Sequence, residues 1–448
     1  MLPMETHVTQ PQRDINDDRI ITAVVANAGG EIFDLAGYGA MGLDGPVQNN
    51  LTVHGTCNLP PGSELMFLPD RVPLLYDRRT RQPVALAENP YAPGEAIFPV
   101  AAFNSPGYVI THTCAYSETS PAGPLPLFSY GAVGWHRGKF RSAVLRVDSE
   151  PRQDLRRMPL DKVQSGVAHM RRELPQNRLR AHLEKCALTY GCPAGKNFFL
   201  GRYEAPLPTS TRCNARCLGC LSLQPDTSEI PCSQQRIAFT PTADEIAAVA
   251  LTHIRRVGRA VVSFGQGCEG DPLMAADTIA AAIVKIRSVT SRGTINMNTN
   301  GSRPQQIERL LQAGLDSLRI SMNSVRPSCY SAYFRPNGYT FEDVTAGIDL
   351  ALRKGAHVAV NYLNCPGFTD TPEECQALLA FIEKHPIHMI QWRNLNFDPL
   401  RYLHLMHATT AHRTPIGVAA LLATVRNAFP RLRFGYFNPP REKYNQPV

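Results

Sequence analysis

From about residue 205 to 400 the chain alternates short apolar runs with longer amphipathic ones, and this rhythm constrains the fold more than any other feature. "TPTADEIAAVALTHIRRVG" begins with Thr242 and Glu245 at capping-box spacing and carries Ile246, Val249, Ala250 and Ile254 along one helical face. "AVVSF" (260–264) follows, short and apolar as a buried parallel strand should be. The same alternation predicts helices over 276–289, 304–313, 341–354 and 372–384, and strands over 294–299, 317–323, 357–363 and 388–392. Gly314 and Gly355 stop two of the helices, and Thr371 with Pro372 starts another. Strands and helices at these spacings suit right-handed βαβ units, so the expected class is α/β, a partial (β/α)6-type parallel barrel.

The first 150 residues have another texture. β-prone runs such as "IITAVVA", "YVITHT" and "SAVLRV" alternate with Gly/Pro-rich turns, which predicts a β-rich N-terminal domain. Residues 151–203 read as a helical connector, broken at Pro175 and ended by "GCPAGKN", and 204–448 as the barrel with a C-terminal extension. Within 152–186 nine Lys/Arg face four Asp/Glu, read as a solvated helix face.

"TRCNARCLGC" lies just after the first expected barrel strand, near "EAPLPTS", on the side where loops carry chemistry in parallel barrels. It places Cys213, Cys217 and Cys220 within eight positions. A structural zinc is closed by four ligands. A [4Fe–4S] cubane has four irons, each ordinarily on its own thiolate, so three cysteines leave one iron open to a substrate or cofactor.

The Cys-x3-Cys-x2-Cys spacing resembles the signature of the radical S-adenosylmethionine (radical SAM) enzymes. Downstream, "GQGCEGDPLM" resembles that family's Gly-Gly-Glu-Pro segment, "NMNTNGS" its Thr-Asn-Gly strand end, and "LRISMNS" the strand that follows. The resemblance runs over roughly 205–400. It implies a [4Fe–4S] cluster on Cys213, Cys217 and Cys220, whose open iron chelates S-adenosyl-L-methionine (SAM). The reduced cluster would cleave SAM to a 5′-deoxyadenosyl radical that abstracts hydrogen from substrate. It further implies SAM contacts from Glu269, Gly270 and Asp271, from Thr299 and Asn300 beside Gly301, from Ser321 and Asn323, and from Arg393, with Asn394 a further candidate. Glycine lets backbone approach a ligand, and a carboxylate pairs with the SAM ammonium. Two positions depart from the family: Gly219 stands where an aromatic is usual, and Asp271 where glutamate is usual.

The remaining cysteines carry less. Cys268 and Cys365 are weak catalytic candidates as hydrogen-atom donors, against small-residue packing. Cys186-x5-Cys192 with Cys57, Cys114 or Cys232 offers a loosely spaced second cluster, and buried free Cys is the commoner meaning of such residues, as for Cys329 and Cys375. His253 reads as a packing histidine. Tyr330, Tyr333 and Tyr339 fall in an expected loop after a barrel strand, leaning toward the rim rather than the substrate chamber.

The leading expectation is an enzyme acting on a small molecule or polypeptide, with an electron donor of flavodoxin or ferredoxin type. RNA ranks lower because the N-terminal region shows no RNA-binding signature. The net charge of +8 alone does not indicate nucleic acid. The competing expectation is a non-catalytic iron–sulfur or zinc protein on nucleic acid, with Cys232 as fourth ligand. The polar, acidic first twenty residues and the lack of an eighteen-residue apolar run point to a cytoplasmic protein without a membrane span.

Overall fold

A computed structural model describes residues 19–118, 122–411 and 413–444. Thirteen strands between Thr22 and Ser142 pair antiparallel in one sheet, and Tyr108–Ile110 pairs with Val144–Arg146 beside it. Three helices follow: α1 (Leu160–Glu173), α2 (Arg178–Leu188) and α3 (Pro193–Phe199). "GCPAGKN" therefore does not end the helical region. Pro193 starts α3, because a proline at the first helical position gives up an N–H that has no partner there anyway.

The second half is one parallel sheet in sequential order: β1 (Glu204–Pro206), β2 (Val261–Phe264), β3 (Thr294–Thr299), β4 (Ser317–Met322), β5 (His357–Asn364), β6 (Met389–Asn394) and β7 (Arg433–Gly435). Between them run α4 (Ala243–Arg256), α5 (Ala276–Val289), α6 (Pro304–Ala313), α7 (Pro327–Phe334), α8 (Phe341–Arg353), α9 (Pro372–Lys384), α10 (Pro399–Thr409) and α11 (Val418–Ala428). Thr242 and Glu245 form the capping box that starts α4, and Gly314 takes the left-handed conformation that closes α6. Two elements differ from expectation. The three-residue β7 is too short to carry a periodic signal, and the "CYSAYF" stretch is the helix α7 rather than a loop. No described helix is long and apolar enough to cross a membrane.

Strand alternation splits the half-barrel into two environments. Val262, Phe264, Ile295, Met297, Leu318, Ile320, Val358, Val360, Ile390 and Trp392 pack outward with the helices in one large core. Each such side chain contributes about 1.5–3 kcal/mol when fully buried. The inward set is polar: Ser263, Asn296, Asn298, Ser317, Arg319, Asn361, Gln391 and Arg393. Ser317 Oγ donates to Asn296 Oδ1 (2.8 Å), Asn296 Nδ2 to Asn298 Oδ1 (2.9 Å), and Gln391 Nε2 to Asn438 Oδ1 (3.0 Å). Each of these bonds offsets the cost of about 1–3 kcal/mol that an unpaired buried group carries.

The N-terminal region sits on the C-terminal ends of the strands, through its two-stranded pair and through Asp44 of the larger sheet. Asn394 accepts from Ile110 N (2.9 Å) and donates to Tyr108 O (3.0 Å), while Asn364 donates to Ile110 O (2.9 Å). Nearby, Asp44 of the sheet meets Asp370 of the β5–α9 loop. Burial, then the neighbouring Asp370 charge, pushes Asp44 up to about 8, and the protonated Asp44 donates to Asp370. Burial also raises Asp370.

Candidate active site

The cysteine loop leaves β1 and is held from beneath by two buried carboxylates of the loop after β2. Glu269 accepts four backbone N–H groups: Thr209 (2.8 Å) and Ser210 (2.9 Å) on one oxygen, Gly265 (2.7 Å) and Gln266 (2.8 Å) on the other. Burial pushes its pKa up to about 7 against the pull of those amides. Asp271 accepts from Leu273 N (3.0 Å), Thr299 Oγ1 (2.8 Å) and Asn300 N (2.7 Å), and its own N–H reaches Arg212 O (2.9 Å). Burial raises Asp271 too. Asn300 Nδ2 donates to Asn214 Oδ1 (2.9 Å), inside the cysteine loop. At Gly270 the two loops touch: a Cβ there would lie 1.9 Å from Arg212 O.

This changes the meaning of several expected SAM contacts. Glu269, Asp271, Thr299 and Asn300 are brought together around the cysteine loop, but their polar atoms are spent on bracing it. Asn323 is fully buried, with Nδ2 on Cys329 O (3.2 Å) and Tyr402 Oη (3.1 Å). It faces the α7–α10 packing. Ser321 lies on the inward face with Ser317 and Arg319 and is half-buried. Asn394 is taken up by the Tyr108–Ile110 strand of the N-terminal region.

Cys213, Cys217 and Cys220 are half-buried. Burial, then Asp271, pushes the Cys213 thiol up to about 11, and burial holds Cys217 well above the usual range. Cys217 and Cys220 line a cavity of about 500 Å³ with Arg236, whose Nη2 lies 3.6 Å from Cys220 Sγ. Gly219 has a steric reason: a Cβ would lie 2.6 Å from Tyr333 Oη and 3.1 Å from Asn396 O. Tyr333, on α7, thus fills the space a larger side chain at 219 would need. Tyr330, Tyr333 and Tyr339 are all buried in the core around this loop.

A larger chamber of about 840 Å³ opens across the barrel mouth. Its walls come from Gly265–Gly267 of the β2 loop, Phe103 and Phe128 of the N-terminal region, Tyr190 and Cys192 of the connector, and Tyr436 and Phe437 after β7. Its floor holds Arg319, Asn361 and Arg393. Arg319 Nη1 donates to Gln391 Oε1 (2.9 Å), while Arg393 donates to Tyr436 O (2.7 Å) and lies over the Tyr436 ring (3.6 Å). Arg319 Nε, Arg393 Nε and Asn361 Oδ1 are buried without a protein partner. Burial, then the Arg393 charge, pushes Arg319 down to about 9. The nearby Glu204 is engaged by Arg152 (3.0 Å), so the floor keeps excess positive charge.

Sequence reasoning missed Arg319, although it sits inward two residues before Ser321. It also missed a knot of donors: His182 Nε2 lies 3.4 Å from Cys268 Sγ and 3.5 Å from Cys186 Sγ. Cys268 is therefore turned to the connector rather than standing free in the chamber. The Cys268 thiol hydrogen-bonds to Cys186, which holds Cys186 low and Cys268 high, the latter with burial as a second cause. Cys365 is buried against its own Pro366 carbonyl (3.8 Å). Cys232 is exposed and lines the large chamber, while Cys114 is buried in the N-terminal sheet on Val100 O (3.3 Å). His253 is fully buried, with Nε2 on Tyr203 O (3.2 Å).

The radical SAM superfamily model matches residues 207–382. GTP 3′,8-cyclase of Heliobacterium modesticaldum is 29% identical over 182 residues, covering 40% of this chain and 50% of that protein. Molybdenum cofactor biosynthesis protein 1 of Mus musculus is 24% identical over 224 residues, covering 49% of this chain and 31% of that protein. The chain thus spans half or less of the length of these two relatives. Among solved structures, HydG, a maturase of the [FeFe]-hydrogenase, is 17% identical with a TM-score of 0.36, covering 61% of this chain and 66% of its own. Methylornithine synthase (PylB) is 15% identical with a TM-score of 0.36, covering 61% and 77%. The half-barrel that carries Cys213, Cys217 and Cys220 is a radical SAM domain over residues 207–382.

Proposed function

We propose that the protein is a radical SAM enzyme that binds a [4Fe–4S] cluster through Cys213, Cys217 and Cys220. In this reading it acts on a small molecule or polypeptide segment bearing an anionic group. The observation that carries the reading is the cysteine loop itself. Three thiols lie within eight positions, two of them, Cys217 and Cys220, lining a cavity of about 500 Å³, on backbone pinned by Glu269 and Asp271. That donor set suits a cubane with one iron left for a ligand. When bound and reduced, the cluster supplies the electron that splits the SAM sulfonium and starts hydrogen abstraction.

The chain's own residues do the positioning. Glu269 fixes where the cysteine loop begins relative to the glycine loop, and Asp271 with Asn300 fixes its distance from β3. The glycine loop, Gly265–Gly267, exposes backbone to the chamber where SAM and substrate must both fit. Arg319 and Arg393 offer two guanidiniums with unused Nε–H donors, suited to a carboxylate or phosphate. Phe103, Phe128, Tyr436 and Phe437 cover the chamber with aromatic surface that excludes water from a radical reaction. The N-terminal region would act as the lid and substrate-selecting wall, which accounts for the hydrogen bonds that Asn364 and Asn394 make to its backbone.

The test is anaerobic reconstitution followed by dithionite and SAM. About four irons per chain and release of 5′-deoxyadenosine are expected. Candidate substrates are those that accelerate this release or transfer deuterium into the product. An electron donor of flavodoxin or ferredoxin type should replace dithionite.

A further inference from the structure

A second group of potential metal donors lies outside the cysteine loop, and its members come from two parts of the fold. His182 and Cys186 stand one helical turn apart on α2, so both side chains leave the same face. Cys268 approaches that face from the glycine loop of the barrel. The three donor atoms lie within 4.8 Å of one another, and Cys186 and Cys268 are buried. Cys192 follows at the start of α3, its N–H on Cys186 O (3.0 Å).

We infer that His182 Nε2, Cys186 Sγ and Cys268 Sγ bind a single zinc-class divalent cation, with Cys192, which starts α3 and lines the chamber, as the candidate fourth ligand. The spacing distinguishes one ion from a cluster. Zinc bonds of about 2.3 Å to sulfur and 2.0–2.1 Å to nitrogen imply tetrahedral S···N edges of about 3.5 Å. The observed edges are 3.4 and 3.5 Å. A cubane gives each thiolate its own iron and holds the sulfurs further apart than a shared ion does. Imidazole and thiolate together select zinc over magnesium or calcium. Such an ion would staple the connector to the loop whose next residue, Glu269, pins the start of the cysteine loop. Its role is positioning, and it does not depend on the cluster reading above.

The test uses the full chain with Cys213, Cys217 and Cys220 all replaced by alanine, so that cluster iron does not enter the count. This variant should retain about one zinc per chain, closing a Cys/His site. Exchange for cobalt should give the intense thiolate-to-metal absorption of a tetrahedral site. Adding His182→Ala and Cys186→Ala should abolish both signals. Should that variant lose its circular dichroism, the milder Cys186→Ser in the natural chain should weaken zinc retention against a chelator by about 100-fold. Four results would overturn the proposal: no zinc in the folded triple variant, zinc unaffected by loss of His182 and Cys186, iron with sulfide at this site, or a Cys186–Cys268 disulfide in freshly purified anaerobic protein.

Discussion

Two sulfur groups flank the loop 265–271, and they are built in opposite ways. In the cysteine loop the three thiols are close in sequence, and buried carboxylates hold the backbone that presents them. In the knot of His182, Cys186 and Cys268 the donors come from positions 86 residues apart yet meet at single-ion distances. The first arrangement leaves room for a bulky group, and the second leaves room for one ion. Spacing along the chain and spacing between atoms are separate kinds of evidence, and here they point to different metals.

The widest separation between the two groups should come from cysteine substitutions. Cys220→Ala is expected to bring cluster iron and 5′-deoxyadenosine formation below detection while leaving zinc in place, as metal analysis and chromatography of one preparation would show. Equal loss of zinc would merge the two sites into one. Glu269→Ala should disturb both groups, since it frees four amides on the two loops and leaves them buried. A loss of about 3 kcal/mol or more is expected in denaturant unfolding, at about 1–3 kcal/mol for each uncompensated buried group.

Arg393→Ala should touch neither metal. Its effect should appear as a rise of about 10–100-fold in KM for an anionic substrate, from the loss of a charged hydrogen bond. Uncoupled SAM cleavage should persist. A fall in iron content would move Arg393 from substrate binding to support of the cysteine loop.

The smallest effect is expected at the interface of the N-terminal sheet. Asp44 and Asp370 both have folded pKa values above the carboxylate reference, so the folded state holds more protons than the unfolded one. Their contribution to stability is complete below the reference of 3.8 and is lost as pH rises through about 8. Tm should decline across that window, and Asp44→Asn should flatten the decline without altering iron or zinc content.

Much of the barrel was legible because its strands are short apolar runs between capped helices. The bounds of α5, α6 and β3 follow directly from periodicity and from Gly314. The cysteine loop was legible because its chemistry is local. The roles of Glu269, Asp271 and Asn323 were not, since a buried carboxylate that pins backbone and one that faces a ligand are the same letter in a sequence. Helix α7 escaped because Pro327 at its start and the aromatic run after it carry no amphipathic stripe. The knot escaped because no motif links an i, i+4 pair on one helix to a loop residue far downstream. Gly219 became intelligible only with Tyr333 beside it.

The central claim is that three cysteines leave one position of a cluster open for SAM. The most direct measurement is pulsed electron paramagnetic resonance of the reduced, anaerobically reconstituted protein, with and without SAM labelled with nitrogen-15 at its amino group. The account predicts a [4Fe–4S] signal that acquires hyperfine coupling to that nitrogen, together with 5′-deoxyadenosine release. A cluster signal indifferent to labelled SAM, or stoichiometric zinc on Cys213, Cys217 and Cys220, would contradict it.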